Sequence, residues 1–248
     1  MVAERRIGLA RAISKAGHCS RSEAFTLIRA GKVTLNGRAV RDPEAPTRSA
    51  DRISIDGQPL APAARVYLAM NKPRGYEVST KPSSQRGGTA ADSAYALLPP
   101  ELPFISAVGR LDKASEGLLL FTNDGAWAAA ITSPESHLPK TYHVQIDRVP
   151  DAALLGQLRR GVRDEGELLR AARVSTLRAG AKNGWLEIVL AEGKNRHIRR
   201  MLAALEVETL RLVRVAIGPV ELGELKKGET RRLTASEIKQ LTAGSGKL

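Results

Sequence analysis

Residues 109–125 read Gly-Arg-Leu-Asp-Lys-Ala-Ser-Glu-Gly-Leu-Leu-Leu-Phe-Thr-Asn-Asp-Gly. The apolar run 118–122, bounded by turn residues, is typical of a buried strand. The part before it predicts a loop with Asp112 between two glycines, where backbone amides can hold a carboxylate and point it into a cleft. Asp112 is therefore a candidate nucleophile or general base. On position alone a turn-capping aspartate is the more frequent outcome, and we favour that structural interpretation for Glu116 and Asp124.

A second stretch, residues 192–201, reads Glu-Gly-Lys-Asn-Arg-His-Ile-Arg-Arg-Met and follows another apolar run. It predicts a helix start that carries concentrated positive charge. Such charge opposes the helix dipole, and a sequence tolerates it more readily when an anion or a buried carboxylate compensates. The concentrated charge alone is compatible with an anion-binding role and with a purely structural role.

Strand and helix patterns surround these two stretches without regular alternation, which indicates an α+β fold with a largely antiparallel sheet. Residues 79–92, rich in Ser, Gly and Thr, predict a mobile loop. The predicted strands cover residues 66–70, 118–122, 142–146, 185–190 and 210–217. The predicted helices cover residues 126–131, 152–160, 196–205 and 235–241.

The N-terminal part predicts a small separate unit of two helices followed by strands. Ser20 and Glu23 match a capping box at the start of the second helix. Asn36-Gly37 and Asp56-Gly57 predict tight turns between short strands. A linker of small residues at 61–64 then separates a domain at residues 1–61 from one at residues 65–243.

Basic residues are concentrated in this N-terminal unit. It holds 11 Lys and Arg against 6 Asp and Glu, an excess of 5. Arg11 and Lys15 lie four residues apart on one helical face, and Arg21 and Arg29 lie two turns apart on the next helix. The unit is a candidate phosphate-binding module, although a solvated helical face explains the charge about equally well.

Composition narrows the class of protein. The formal net charge of +13 attracts polyanions, while an aromatic content of 4% argues against recognition by many stacked bases. No apolar run is long enough to span a bilayer, and residues 1–10 contain no apolar signal core. The single cysteine, Cys19, excludes an internal disulfide, and the scattered histidines predict no metal site. We expect a cytoplasmic protein without membrane contact.

Glycine-rich cofactor motifs are missing from the sequence. No dinucleotide-binding or phosphate-binding loop and no serine-nucleophile elbow is present, so an enzyme here would work through side chains without a cofactor. The missing loop also argues against a methyltransferase.

Residues 13–24 read Ile-Ser-Lys-Ala-Gly-His-Cys-Ser-Arg-Ser-Glu-Ala and residues 28–37 read Ile-Arg-Ala-Gly-Lys-Val-Thr-Leu-Asn-Gly. Together they resemble the S-four domain, a small α+β domain that binds structured RNA. The resemblance implies that Arg11, Lys15, Arg21 and Arg29 contact RNA.

The motifs at 109–125 and 192–201, with Lys-Thr-Tyr-His-Val at 140–144 and Leu-Arg-Leu-Val-Arg-Val-Ala-Ile-Gly at 210–218, occur in one order along the chain. In that order they resemble the RsuA/RluB group of ribosomal RNA pseudouridine synthases. The resemblance implies an S-four-type domain followed by a catalytic domain with a mixed, largely antiparallel sheet flanked by helices. It also implies ribosomal RNA, or a ribosomal assembly intermediate, as the partner.

The resemblance assigns roles residue by residue. Asp112 matches the catalytic aspartate, Tyr142 the tyrosine that stacks on the target uracil and helps to remove its C5 proton, and Lys194 the basic residue that pairs with the aspartate. Arg110 matches the arginine that fills the space of the extruded base, and Ile198 the aliphatic position that lines the base pocket. Two further arginines in the same motif, Arg196 and Arg199, are expected to bind RNA.

The expected activity is isomerisation of one uridine to pseudouridine in ribosomal RNA by a monomeric enzyme. The Leu-Asp-x-x-Ser-Glu-Gly arrangement at 111–117 is closer to members that act on large-subunit RNA. The segments 113–115 and 206–208 depart from the commonest residues of the family, which leaves the target nucleotide open. The alternatives are a non-catalytic RNA-binding assembly factor on the same two domains and, less well supported, a methyltransferase.

Overall fold

The computed structural model describes residues 6–80 and 89–243 and divides into two compact units. The first unit comprises the described residues up to Tyr67 with Pro99–Ser106 and Thr122–Gly125, and the second contains the rest. Arg5, part of the basic segment, and residues 81–88, the centre of the predicted mobile loop, lie outside the described residues. The domain limits 1–61 and 65–243 stay predictions.

The first unit contains two short helices and six short strands. Its elements are β1 (Ile7–Gly8), α1 (Leu9–Lys15), α2 (Arg21–Arg29), β2 (Val33–Leu35), β3 (Arg38–Ala39), β4 (Pro46–Thr47), β5 (Ile53–Ile55) and β6 (Gln58–Pro59). A core that includes Leu9, Ile13 and Ile28 joins α1 and α2 to β2 and β5. The helices therefore keep one apolar face inside and leave the other to solvent.

Local signals explain the ends of these elements. The capping box is formed: the Ser20 amide donates to Glu23 Oε2 at 2.9 Å, and the Glu23 amide donates to Ser20 Oγ at 3.2 Å. Asn36 and Gly37 both have positive φ, 52° and 80°, as the two-residue turn between β2 and β3 requires. The predicted cap and turns are confirmed.

The second unit is built on one large mixed sheet. Its strands are β7 (Tyr67–Lys72), β8 (Ser106–Val108), β9 (Glu116–Thr122), β10 (Lys140–Ile146), β11 (Val162–Asp164), β12 (Glu167–Leu169), β13 (Arg173–Ala179), β14 (Gly184–Leu190), β15 (Thr209–Ile217), β16 (Val220–Glu221) and β17 (Thr230–Arg232). Its helices are α3 (Gly125–Thr132), α4 (Ala152–Arg160), α5 (His197–Ala203) and α6 (Ala235–Ala243).

The main path of the sheet runs β13-β14-β10-β15-β9-β7-β17, and β11 and β12 form a separate hairpin. β10 pairs antiparallel with both β14 and β15, whereas β9 pairs parallel with β15. The predicted mixed, largely antiparallel α+β fold is confirmed. The strand predicted at 118–122 is β9, whose seven residues are all buried.

Helices α4 and α5 cover one face of the sheet around β10. Leu158 of α4 and Met201 of α5 are fully buried against Val144 and Ile188 of the strands. Because side chains alternate along a strand, this packing leaves Thr141, His143 and Gln145 of β10 on the opposite face.

Candidate active site

A cavity of about 420 Å³ opens at one end of β10 in the second unit. It lies where the loop 109–115, the segment 190–199 and the strands β10 and β15 come together. Seven residues predicted from the sequence line it: Arg110, Asp112, Tyr142, Lys194, Arg196, Ile198 and Arg199. Segments separated by about 80 residues of chain thus meet at one site.

Asp112 occupies the turn between β8 and β9 and is exposed to the cavity. Its backbone carbonyl accepts a hydrogen bond from the Ser115 amide at 2.9 Å, which closes the turn. The glycine at the start of this loop, Gly109, has a φ of +77°, a conformation that residues with a Cβ rarely adopt. The loop therefore presents the carboxylate on a fixed backbone.

Tyr142 and Ile198 form the apolar wall of the cavity. Tyr142 is 9% exposed and Ile198 is 3% exposed, and both belong to the core that joins the sheet to α4 and α5. Their positions are consequently held by packing, which suits a surface that receives a flat apolar group.

Positive charge dominates the rest of the lining. Six cationic side chains face two carboxylates, Asp112 and Glu192. The six are Arg110, Lys140, Lys194, Arg196, Arg199 and Arg214. This imbalance makes the cavity suitable for an anionic ligand such as a phosphodiester.

Lys194 lines the cavity, but its ammonium has partners other than the predicted one. Nζ donates to the Leu168 carbonyl oxygen at 2.9 Å and forms an ion pair with Glu192 at 3.4 Å. The predicted pair with Asp112 is not formed among the residues that the structure describes. This contact could not be predicted from the sequence, because Leu168 belongs to the β11–β12 hairpin, which was not among the predicted elements.

Arg199 of α5 interacts electrostatically with Asp112. Burial lowers the pKa of Arg199, and the negative charge of Asp112 opposes that shift. Nη2 of Arg199 donates to the Ala114 carbonyl at 3.2 Å, so the guanidinium ties α5 to the Asp112 loop. Arg199 thereby supplies positive charge beside the carboxylate.

Arg214 was not singled out from the sequence as a site residue. It is 4% exposed, and its Nε donates to the Leu118 carbonyl at 2.7 Å. Its Nη2 is buried and has no hydrogen-bond partner within residues 6–80 and 89–243. One sequence feature could have indicated its burial. Arg214 lies in a predicted strand, and the residues two positions before and after it, Leu212 and Ala216, are apolar.

Two further basic groups, Lys72 and His197, have pKa values lowered by burial. Burial lowers the pKa of Lys72 to about 8, and its Nζ donates to the Pro73 and Tyr76 carbonyls. Burial also lowers the pKa of His197, whose two ring nitrogens lack partners in the described part of the chain. His197 is therefore a buried ring at the cavity wall, and it was not among the predicted site residues.

Glu116 and Asp124 both have structural roles, but Glu116 does not cap a turn as predicted, because it lies in strand β9. Glu116 is almost fully buried and forms ion pairs with Arg211 at 2.7 Å and Lys227 at 2.8 Å. These pairs lower its pKa even though burial acts in the opposite direction. In the first unit, Asp124 accepts hydrogen bonds from Arg65 at 2.6 Å and Tyr67 at 2.8 Å.

The four basic residues predicted to bind RNA through the N-terminal domain lie in the first unit and do not line the cavity. Arg11 and Lys15 on α1, and Arg21 and Arg29 on α2, are all exposed. None of the four forms an ion pair with another residue that the structure describes. Their charges are thus available to an external anion.

The chain matches two family models. The model described as RNA pseudouridylate synthase matches residues 66–204, and the model described as S4 domain matches residues 7–53. The sequence is 33% identical over 237 residues to the ribosomal large subunit pseudouridine synthase B of Bacillus subtilis, covering 95% of each chain. It is 35% identical to an RNA pseudouridine synthase of Aquifex aeolicus, covering 94% of this chain and 93% of that protein.

A solved structure supports the same assignment. A crystal structure of a pseudouridylate synthase superposes with a TM-score of 0.66 at 30% identity and covers 95% of this chain and 99% of that one. The chain therefore belongs to the RNA pseudouridylate synthase family, with an N-terminal S-four domain. None of the helices in the described part of the chain is long and apolar enough to cross a membrane.

Proposed function

We propose that this protein converts one uridine of ribosomal RNA to pseudouridine, using Asp112 as the catalytic residue. The observation that carries the proposal is the shared cavity of Asp112, Tyr142 and Ile198, with cationic groups around it. A stacked uridine leaves its helix at a cost of a few kcal/mol, which stacking and hydrogen bonds in such a pocket recover. Arg110, exposed at the cavity edge, takes the space of the extruded base.

The proposed reaction is balanced without a co-substrate or cofactor. The bond between uracil N1 and ribose C1′ breaks, the base turns within the cavity, and a bond forms between C5 and C1′. The Asp112 carboxylate stabilises or traps the sugar while the base is detached. Tyr142 stacks on the uracil and assists loss of the C5 proton, and N1 gains a proton, so the product is an isomer of uridine.

Cations around Asp112 have two proposed roles. Arg199 and Lys194 supply positive charge beside the Asp112 carboxylate, Lys194 by pairing with it once RNA occupies the cavity. Arg196 and the exposed edge of the cavity contact phosphates on either side of the target. In the first unit, Arg11, Lys15, Arg21 and Arg29 grip a structured part of the same RNA.

Large-subunit RNA is the proposed substrate. Support comes from the Leu-Asp-x-x-Ser-Glu-Gly arrangement at 111–117 and from the full-length similarity to a relative named for the large subunit. The proposal includes an S-four domain at residues 1–61, a catalytic domain at 65–243, and a monomer that acts in the cytoplasm on ribosomal RNA or an assembly intermediate.

Carbodiimide mapping of both ribosomal RNAs after incubation with the protein tests this proposal. A new reverse-transcription stop in large-subunit RNA, produced by the wild type and absent with Asp112→Asn, is the expected result. A stop in small-subunit RNA alone would move the substrate to the other subunit. No stop in free RNA or assembly intermediates, despite tight binding, would favour the non-catalytic assembly factor.

A further inference from the structure

The sheet face opposite the cavity carries a row of large side chains from four strands. Gln145 of β10 lies on this face because it is three residues from Tyr142, which faces the cavity. Gln145 is aligned with Trp185 of β14 and with Arg211 of β15, and Trp185 is aligned with Arg178 of β13. An aromatic ring thus lies between two arginines across the sheet.

These side chains surround a depression of about 380 Å³, here called the Trp185 patch. A β-bulge between Thr176 and Arg178 shifts the register of β13, and Leu177 at the bulge is 44% exposed. Bulges re-aim side chains, so two consecutive residues of β13 can line one depression. The patch consists of His143, Leu177, Arg178, Trp185, Arg211 and Val213.

Both guanidinium groups lie against the indole ring. The Arg178 guanidinium carbon is 5.1 Å from the ring centroid, and that of Arg211 is 5.7 Å from it. Arg211 is held in place by Glu116, with two hydrogen bonds of 2.7 and 3.1 Å. Arg178 is exposed and pairs with no carboxylate in the described residues, so its charge is free to meet an anion.

Trp185 differs from the other tryptophan of the chain. Trp127 is 6% exposed, and its indole N–H donates to the Ile238 carbonyl at 3.0 Å. Trp185 is only half-buried, and its N–H has no acceptor among residues 6–80 and 89–243. Indole rings are large and apolar, so a partly exposed one with a free donor marks a surface that can gain from a ligand.

Charge identifies the kind of ligand. The carboxylate in the adjacent row, Glu187, is already engaged by Arg173 at 3.3 Å and faces His143 at 3.8 Å. The patch therefore combines uncompensated positive charge with a flat apolar surface. An unpaired nucleotide matches both, since it joins a planar base to a phosphate. An acidic peptide matches only the charge.

We propose that the Trp185 patch binds an unpaired nucleotide of the RNA, with its base on the Trp185 ring and its phosphate on Arg178. The inference rests on the proposed function in that it takes RNA as the ligand. Because the patch and the cavity lie on opposite faces of the sheet, the patch holds RNA away from the target uridine and does not take part in the reaction.

Binding of an oligoadenylate of about eight nucleotides tests the inference, because such an oligomer contains no uridine and spans a typical single-strand site. Anisotropy of labelled oligomer gives the affinity. We expect Trp185→Leu to weaken binding about tenfold, the size of effect that loss of one base–aromatic stack gives in such sites. Arg178→Gln should weaken it several-fold, while Arg163→Gln, the same change at an exposed residue of β11 outside the patch, should leave it unchanged.

Tryptophan fluorescence locates the oligomer. In a Trp127→Phe background the remaining signal comes from Trp185, and oligoadenylate should quench it. If Trp127→Phe does not fold, the difference in quenching between wild type and Trp185→Leu gives the same readout. Unquenched Trp185, or equal weakening by Arg163→Gln, would overturn the proposal.

Two controls define the ligand and separate this inference from the proposed function. An abasic phosphate oligomer of equal length, or oligoglutamate, that binds as tightly as oligoadenylate would overturn nucleotide stacking. With ribosomal RNA, Trp185→Leu should raise KM and leave kcat unchanged. Failure to form pseudouridine while oligoadenylate still quenches Trp185 would refute the proposed function and leave the patch intact.

Discussion

The ammonium of Lys194 lies 2.9 Å from the carbonyl oxygen of Leu168 on the β11–β12 hairpin. Glu192 is its ion-pair partner at 3.4 Å, so two groups hold the cation that the sequence assigns to Asp112. The hairpin is itself tied to α5, because Arg200 contacts Asp164 and donates to Glu167 at 2.7 Å. Pairing of Lys194 with Asp112 when RNA binds therefore competes with these two contacts.

Replacing Lys194 with methionine removes the cation but keeps most of its apolar stem. We expect kcat/KM to fall about 100-fold, as when one preorganised electrostatic group is lost, with RNA affinity changed only a few-fold. Glu192→Gln is the control, since it releases Lys194 from its ion pair and should preserve kcat or raise it. Single-turnover kinetics, on the RNA substrate identified by carbodiimide mapping, measure the change in rate. Full activity of Lys194→Met would show that Arg199 alone serves Asp112.

Among the glycines that the structure describes, Gly117 leaves the least room between a Cβ and neighbouring backbone. A Cβ on Gly117 would lie 2.2 Å from the Arg214 carbonyl oxygen, and its φ is +101°. Gly117→Ala should therefore destabilise the protein by about 3 kcal/mol or more, through strain and overlap between β9 and β15. Urea unfolding measures the change. Gly125→Ala has open space around its Cβ and should be tolerated; equal destabilisation by both would contradict this explanation.

Removing the charges of Arg11 and Arg21 tests whether the first unit binds RNA. Both side chains are exposed on neighbouring helices. The double change to glutamine should weaken RNA binding and lower the slope of log affinity against log salt by about 1.5, since each phosphate contact contributes roughly 0.7 to 0.9. Arg148→Gln, which removes a charge paired with Asp151, is the control. An unchanged slope would argue against RNA binding by the surface that contains Arg11 and Arg21.

His197 makes stability depend on pH in a defined direction. Burial lowers its pKa below the ordinary 6.5, so the unfolded chain takes up the proton first as pH falls. Stability is therefore lost as pH drops below about 6.5, at up to about 1.4 kcal/mol per pH unit for one proton. Urea unfolding between pH 7.5 and 5.5 should show a smaller loss for His197→Gln than for wild type. Parallel losses would mean that His197 titrates normally.

Sequence patterns predicted those elements whose signals are local. The Ser20 capping box and the Asn36-Gly37 turn depend on residues within four positions, and the apolar run 118–122 is buried as a unit. Strand β13 was not predicted because Arg173–Ala179 is mostly polar and exposed, and only its pairing with β14 makes it a strand. Propensity gives little information at such an edge.

The order of the motifs along the chain made it possible to predict which residues form the site. Asp112 and Tyr142 were placed in one cavity without any long-range information, because the motifs imply the fold that joins them. The partners of individual charges were not predictable. Glu116 pairs with Arg211, 95 residues away, and Lys194 bonds to Leu168, 26 residues away, and both depend on the three-dimensional packing of strands. The catalytic roles themselves remain predictions.

Tritium release from uracil C5 tests most directly whether Asp112 performs the isomerisation. Ribosomal RNA labelled at uracil C5 loses its tritium to water only when C5 forms the new bond, so release counts turnover at the reacting atom. A catalytic role of Asp112 predicts release by the wild type and none by Asp112→Asn, with RNA binding by the variant within a few-fold of normal. Sustained release by Asp112→Asn, or loss of binding together with release, would contradict it.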